Sequence, residues 1–306
     1  MTATETLLRP RDRRGSALRR SGPALPARRR SPKAVAQRVV LYAVLVGVVL
    51  VPLFPLYWLV ISSFKTPQEF SQIPPTWFPS DPTLSQMGVA LTEAPFGQSL
   101  LNSIIIAGGS TLSVLVTSVF AGYVFAKHSF RGRDALFWSI IATMFLPPVV
   151  TLVPLYSMVS SLGLADTHLG VMLPWLANAF GIFLMRQFIM GVPDELIEAA
   201  RMDGAGEVRI VVQFVVPLIK PALVTLGVFM FVYAWNNFLW PVSLLKSEEL
   251  YPVVLTVNRL MAYTMSFDYR NVVLAGTLIA SIPTLLVFLL TQRVFVQGIA
   301  STGVKG

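Results

Sequence analysis

IIIAGGSTLSVLVTSVFAGYVF, residues Ile104–Phe125, holds no charged side chain, and none occurs between Glu93 and Lys127. At 1.5 Å per residue, about 20 such residues cross the ~30 Å hydrocarbon layer of a bilayer as a helix. A helix bonds its own backbone polar groups, which is what lipid demands of a spanning segment. Val39–Phe64, Ala135–Leu164, Leu169–Met185, Pro221–Leu245 and Asn271–Gln292 are charge-free in the same way. The shortest of these, Leu169–Met185, is followed by Arg186, whose long side chain can snorkel to the interface. The expected fold is therefore an all-α integral membrane protein with six transmembrane helices. Composition agrees: 54% of the 306 residues are hydrophobic and 13% charged, with a mean hydropathy of +0.67. A soluble domain carries about 25% charged residues. The first span is too long for the apolar core of a cleavable signal peptide, and no small-residue cleavage site follows it.

Charge outside the spans sets the orientation. Eleven of the 24 basic residues fall between Arg9 and Arg38, opposed only by Glu5 and Asp12. Residues 1–36 read as a disordered basic arm on the cytoplasmic side, a topology signal rather than a nucleic-acid surface. Six spans place both termini on one side. With that side cytoplasmic, only Lys65, Lys246, Arg259 and Arg270 of the basic residues are left outside, among seven acids. The positive-inside rule selects this arrangement, a multi-pass protein of the cell (inner or plasma) membrane with cytoplasmic termini.

The absence of cysteine excludes disulfides, thiolate metal sites and cysteine nucleophiles, and His128 and His168 are too far apart to form a ligand pair. Neither a metal nor a cofactor is expected. No charged residue lies mid-span, which argues against the main alternative, an ion-coupled secondary carrier. No nucleophile–base constellation supports a membrane-embedded enzyme. The polar candidates for a translocation path are Asn178, Asn236 and Asn237. The run Ala234–Trp235–Asn236–Asn237–Phe238–Leu239–Trp240–Pro241 suits either an interfacial aromatic belt or a polyol-lined path. Prolines punctuate the spans, among them Pro147, Pro148, Pro154, Pro174 and Pro283, each favouring a kink.

Residues 186–220 form the longest inner connection. Pro193, Asp194 and Glu195 open it as a helix start, and Gly204 and Gly206 stop or turn that helix. The result is a short amphipathic helix at the inner face. A bare connector between spans has the same composition.

The string Glu198–Ala199–Ala200, then Gly204, then Phe214–Val215–Val216–Pro217 resembles the EAA loop of ATP-binding-cassette importer permeases, with Asp203–Gly204–Ala205 in the form usual for sugar permeases. Further matches are Asn102–Ser103, Gly122–Tyr123, Phe130–Arg133, Asn236–Asn237 and the tail from Gln297 to Gly306. Together, over roughly residues 37–306, they resemble the smaller permease of maltose-transporter-type carbohydrate importers; the Arg-rich arm is outside the pattern. The resemblance implies the type I importer permease fold, with residues 37–306 as the transmembrane domain and 193–217 as the coupling loop. It implies a non-catalytic permease subunit of an ATP-driven, binding-protein-dependent sugar importer that forms half of the translocation path. The implied partners are a second, larger permease, two ATP-binding cassette ATPase subunits, an extracytoplasmic sugar-binding protein and the sugar itself, and no nucleic acid. The implied coupling residues are Glu198, Ala199, Ala200, Asp203 and Gly204, with both alanines fitting an ATPase cleft. The chain has no phosphate-binding Gly-x4-Gly-Lys-Ser/Thr loop, so the ATPase is expected on another chain.

Overall fold

The computed structural model of the protein describes residues 32–93, 95–263 and 270–302. Regular structure among these residues is helical, without a strand. The principal helices are α1 (Pro32–Ser63), α2 (Phe96–Lys127), α3 (Ala179–Met190), α4 (Asp194–Met202), α5 (Lys220–Trp235), α6 (Val253–Tyr263) and α7 (Arg270–Thr302). The contacts divide the chain into two compact units, one ending at Phe54 and one starting at Pro55. The first unit is one continuous helix from Pro32 onward. It begins inside the segment expected to be an irregular arm, with proline at the first helical position, where a missing N–H costs nothing. Residues 1–31 of that arm lie outside the described residues, as do residues 303–306 of the tail.

Three of the expected spans are unbroken helices: Ala36–Ser63, Phe96–Lys127 and Arg270–Gln292. Ala135–Leu164 and Leu169–Met185 each fall on a bent helix pair, and the first part of Pro221–Leu245 falls on the second arm of another; six spans result when each pair crosses once. Arg133–Phe145 and Pro148–Ser161 meet at 107°. The cause is the Pro147–Pro148 pair: a residue before proline is driven out of the α region. Leu146 and Pro147 are both extended, and Pro148 restarts the helix. His168–Trp175 and Ala179–Met190 meet at 45°, and Glu207–Leu218 and Lys220–Trp235 at 87°. Pro217 and Pro221 lie four apart, so the carbonyls of Gln213 and Pro217 each lose their intrahelical donor. The helix passes through a π-turn, Val211–Val215, just before Pro217 and breaks at Ile219 between the two prolines.

The second unit is built around α2. Small residues let α3 approach it closely, the packing that lipid favours because it offers no hydrophobic drive between helices. A Cβ on Gly122 would lie 2.8 Å from Met185 Cβ and 2.9 Å from the Arg186 nitrogen. Toward the end of α2 expected inside, the core gathers Val114, Tyr123, Met185, Ile189, Val211 and Leu226. Toward its other end it gathers Phe96, Trp235, Val253 and Leu260, with Trp240 and Leu244 in a neighbouring cluster. The segment between α1 and α2 is pinned by polar groups. Lys65 is buried, its Nζ donates to the Thr76 carbonyl, and it stands over the Trp58 ring. Burial opposes ionisation of Glu69, yet the Ser80 N–H and the Thr76 hydroxyl, each 2.8 Å from Oε1, hold its carboxyl below the usual range.

Candidate functional site

The expected inner loop, residues 186–220, condenses onto the ends of α2 and α3. Helix α4 starts after Pro193, with Asp194 and Glu195 in the first turn and Arg201 in the last, the arrangement the helix dipole favours. Its inward face is Ile197 and Ala200, one turn apart and both buried in the inner core beside Tyr123, Met185 and Ile189. Glu195, Glu198, Ala199, Met202 and Asp203 stay exposed.

The helix ends in a Schellman turn. The Ala205 N–H donates to the Ala200 carbonyl and the Gly204 N–H to the Arg201 carbonyl, both at 3.0 Å. Gly204 takes φ +79°, the left-handed conformation that closes this turn. Ala205 follows, half-buried against the inner core. The turn thus sets the direction in which the chain leaves α4.

Two polar ties fix this loop to α2. Lys127 Nζ donates to Asp194 Oδ1 and to the Val192 carbonyl, each at 2.6 Å. Tyr123 Oη donates to Glu207 Oε2 at 2.7 Å. Arg201 Nε donates to Glu207 Oε1 at 2.9 Å, and that hydrogen bond raises the guanidinium pKa further. His128 Nε2 lies 3.6 Å from the same carboxylate. Beyond these ties the loop presents apolar surface: Met202 is 85% exposed, and Val208 and Val212 line an open groove with Arg209 and Gln213.

The structure therefore separates the five coupling candidates. Glu198, Ala199 and Asp203 form an outward surface, and Gly204 shapes the turn beside it. Ala200 points into the chain's own core, and of the two alanines only Ala199 is exposed. A helical pattern shows that two adjacent alanines face different ways, but not which of them faces the core.

The path candidates stand at helix breaks. Asn178 Oδ1 accepts from the Gly181 N–H at 2.8 Å and caps α3. Asn236 Nδ2 donates to the Val232 carbonyl at 2.8 Å, and Asn237 Oδ1 accepts from the Trp240 N–H at 3.2 Å. Trp235 and Trp240 are 3% and 5% exposed. Their indole N–H groups bond the carbonyls of Ala280 and of Gly170 and Val171. An interfacial belt would leave those rings at the surface, so this run is a packed helix break and not a belt. Sequence reasoning missed Glu207, Arg201 and Lys127; their partners lie up to 84 residues away, and no local pattern marks them.

On the opposite side, Asp166 holds the start of the segment that leads to α6. Its Oδ1 accepts from the N–H groups of Lys246 and Ser247, and its Oδ2 from the Ser247 hydroxyl. The Ser247 side chain and backbone, then the Lys246 N–H, hold the carboxyl below its ordinary range.

Comparisons with known proteins bear on this geometry. Residues 115–300 match the family described as "Binding-protein-dependent transport system inner membrane component". The chain is 35% identical over 265 residues to the sn-glycerol-3-phosphate transport system permease protein UgpE of Yersinia pestis bv. Antiqua, covering 84% of this chain and 94% of that one. The UgpE of Escherichia coli O1:K1 is 34% identical over 256 residues, 82% of this chain and 91% of that one. Among solved structures, a bacterial ABC transporter involved in the import of the acidic polysaccharide alginate matches with TM-score 0.77 at 27% identity, over 84% of this chain and 97% of that one. A second alginate transporter structure, in complex with a pentasaccharide-bound periplasmic protein, matches with TM-score 0.61 at 18% identity, which shows the fold alone. With matched residues running from the middle of α2 through the inner loop and into α7, the chain belongs to the family of binding-protein-dependent transport system inner membrane components.

Proposed function

We propose that this chain is the smaller of two permeases in a carbohydrate importer, that it forms half of the translocation path, and that two ATPase subunits on separate chains drive it. The carrying observation is the inner loop. A short helix seated on the core by Ile197 and Ala200, and ended by the Gly204 turn, offers Glu198, Ala199, Met202 and Asp203 to a partner. Side-chain acceptors beside exposed apolar surface suit a protein cleft lined with cationic or amide groups. The transmembrane domain spans residues 37–306, with 1–36 as a cytoplasmic arm and both termini inside. Asn178, Asn236 and Asn237 sit along the path at helix breaks, where a polar cargo finds polar groups. An extracytoplasmic binding protein delivers that cargo. Relatives that carry glycerol phosphate and alginate support a polyhydroxylated cargo, and the sugar reading follows from that likeness.

The test is reconstitution of the chain with its neighbouring permease, ATPase and binding protein in vesicles. ATP with loaded binding protein should drive uptake, and either alone should not. Uptake without ATP would overturn the reading. For orientation, single cysteines placed at Ser16 and Ser247 are labelled from outside intact cells. Only Ser247→Cys should react, and labelling at position 16 would reverse the topology.

A further inference from the structure

Helix α2 is tied at both ends to segments that the proposed topology puts on opposite sides of the membrane. At its outer end Asn102 is fully buried, and its Nδ2 donates to the carbonyls of Glu249 at 2.7 Å and Tyr251 at 3.1 Å. One residue on, Ser103 Oγ accepts from the Val253 N–H at 2.7 Å, and Ser99 Oγ stands 2.6 Å from Thr256 Oγ1. These bonds hold the start of α6. At the inner end, Tyr123 bonds Glu207 at 2.7 Å, and Lys127 bonds Asp194 and the Val192 carbonyl.

Between Asn102 and Tyr123 the helix is unbroken. At 1.5 Å per residue it separates the two sets of ties by about 30 Å, the thickness of the hydrocarbon layer. It is also the one span without a proline. The others contain Pro52 and Pro55, Pro147, Pro148 and Pro154, Pro174, Pro217 and Pro221, or Pro283. Prolines and breaks let a helix flex where it is needed. An unbroken helix fixed at both ends carries displacement instead, through discrete bonds that either hold or do not.

We infer that α2 is a strut, and that Tyr123 and Glu207 at one end and Asn102 and Ser103 at the other are positioning residues that link the inner loop to the outer segment Glu248–Tyr263. This rests on the reading of the inner loop as the ATPase contact. It adds a route by which loaded binding protein outside and nucleotide inside sense each other. The ties of Asn102 and Ser103 go to backbone carbonyls and an amide of the loop, so they fix its path whatever side chains it presents.

The test uses the whole reconstituted transporter. Tyr123→Phe and Ser103→Ala each delete one oxygen and little volume. Thermal midpoint and retention of the ATPase show that each variant is assembled. Glu207→Gln, at a half-exposed position, is a second inner-end variant. Basal ATP hydrolysis should be unchanged. Its stimulation by loaded binding protein, and the cargo moved per ATP, should fall about two- to tenfold, the range that one net hydrogen bond spans. The double variant Tyr123→Phe/Ser103→Ala should be no worse than the more severe single, because cutting either end of one link disables it. Ser113→Ala, whose hydroxyl bonds only the local Ser110 carbonyl on α2, should leave stimulation intact. Wild-type stimulation in the single variants, or independent multiplying losses in the double, would overturn the strut. A wild-type complex that never responds to binding protein would overturn the coupling reading itself, and the strut with it.

Discussion

Replacing Gly204 with alanine should weaken ATPase association through backbone strain alone. Gly204 holds φ +79°, and a Cβ built on it meets nothing within 4 Å, so no clash adds to the cost. An L-residue forced into the left-handed region costs about 1–2 kcal/mol. At about 1.4 kcal/mol per decade that is roughly 5- to 30-fold in the population of the docked turn. Asparagine tolerates this conformation better and should fall between alanine and glycine. Gly206, two residues on, supplies the control: its φ of −71° and ψ of 159° suit any residue, and its surroundings are also open. Serine there is a good N-cap for the helix that starts at Glu207, so Gly206→Ser should be neutral or slightly stabilising. The assay is titration of purified ATPase against each variant in detergent or nanodiscs, beside a thermal melt. The expected order of affinity is wild type and Gly206→Ser together, then Gly204→Asn, then Gly204→Ala. Equal affinity for Gly204→Ala and Gly206→Ser would show that the turn at Gly204 does not shape the docking surface.

The two alanines of the loop should part company. Ala200→Trp overpacks the inner core and should destabilise the chain itself by about 1–3 kcal/mol, lowering its thermal midpoint without any partner present. Ala199→Trp, on the exposed face, should leave that midpoint unchanged and weaken only ATPase binding; equal midpoints for the two would contradict the orientation of α4. Gly122→Ala presses a methyl against Met185 Cβ and the Arg186 backbone, which cannot step aside, so α2 and α3 must separate and folded yield should drop; normal yield would mean the two helices pack more loosely. Asp166 has a depressed pKa, so its contribution is fully present above about pH 4, the ordinary carboxylate value, and is lost as pH falls through its lower folded value. Slow hydrogen exchange at the Ser247 amide should persist down to about pH 4, and Asp166→Asn should cost about 1 kcal/mol at pH 7; loss of protection already at pH 6 would contradict this.

What the sequence determined by itself is the part that local chemistry decides. Charge-free windows located the spans, because a charge in hydrocarbon is costly wherever it falls. Proline pairs marked the 107° break, because a missing N–H and a clash act within one turn. Gly204 marked a helix stop, because a residue without a Cβ enters the left-handed region freely. The tertiary structure decided the rest. In a membrane, apolar residues meet either lipid or protein at nearly equal cost, so a helical pattern cannot say which face is covered. Hence only the packing showed that Ala200 is buried while Ala199 is exposed, and that Trp235 and Trp240 are internal. The bonds from Tyr123 to Glu207, and from Asn102 to the Glu249 and Tyr251 carbonyls, join groups 84 to 149 residues apart. Such bonds exist only once α2 has been placed against both loops, and no spacing along the chain encodes them.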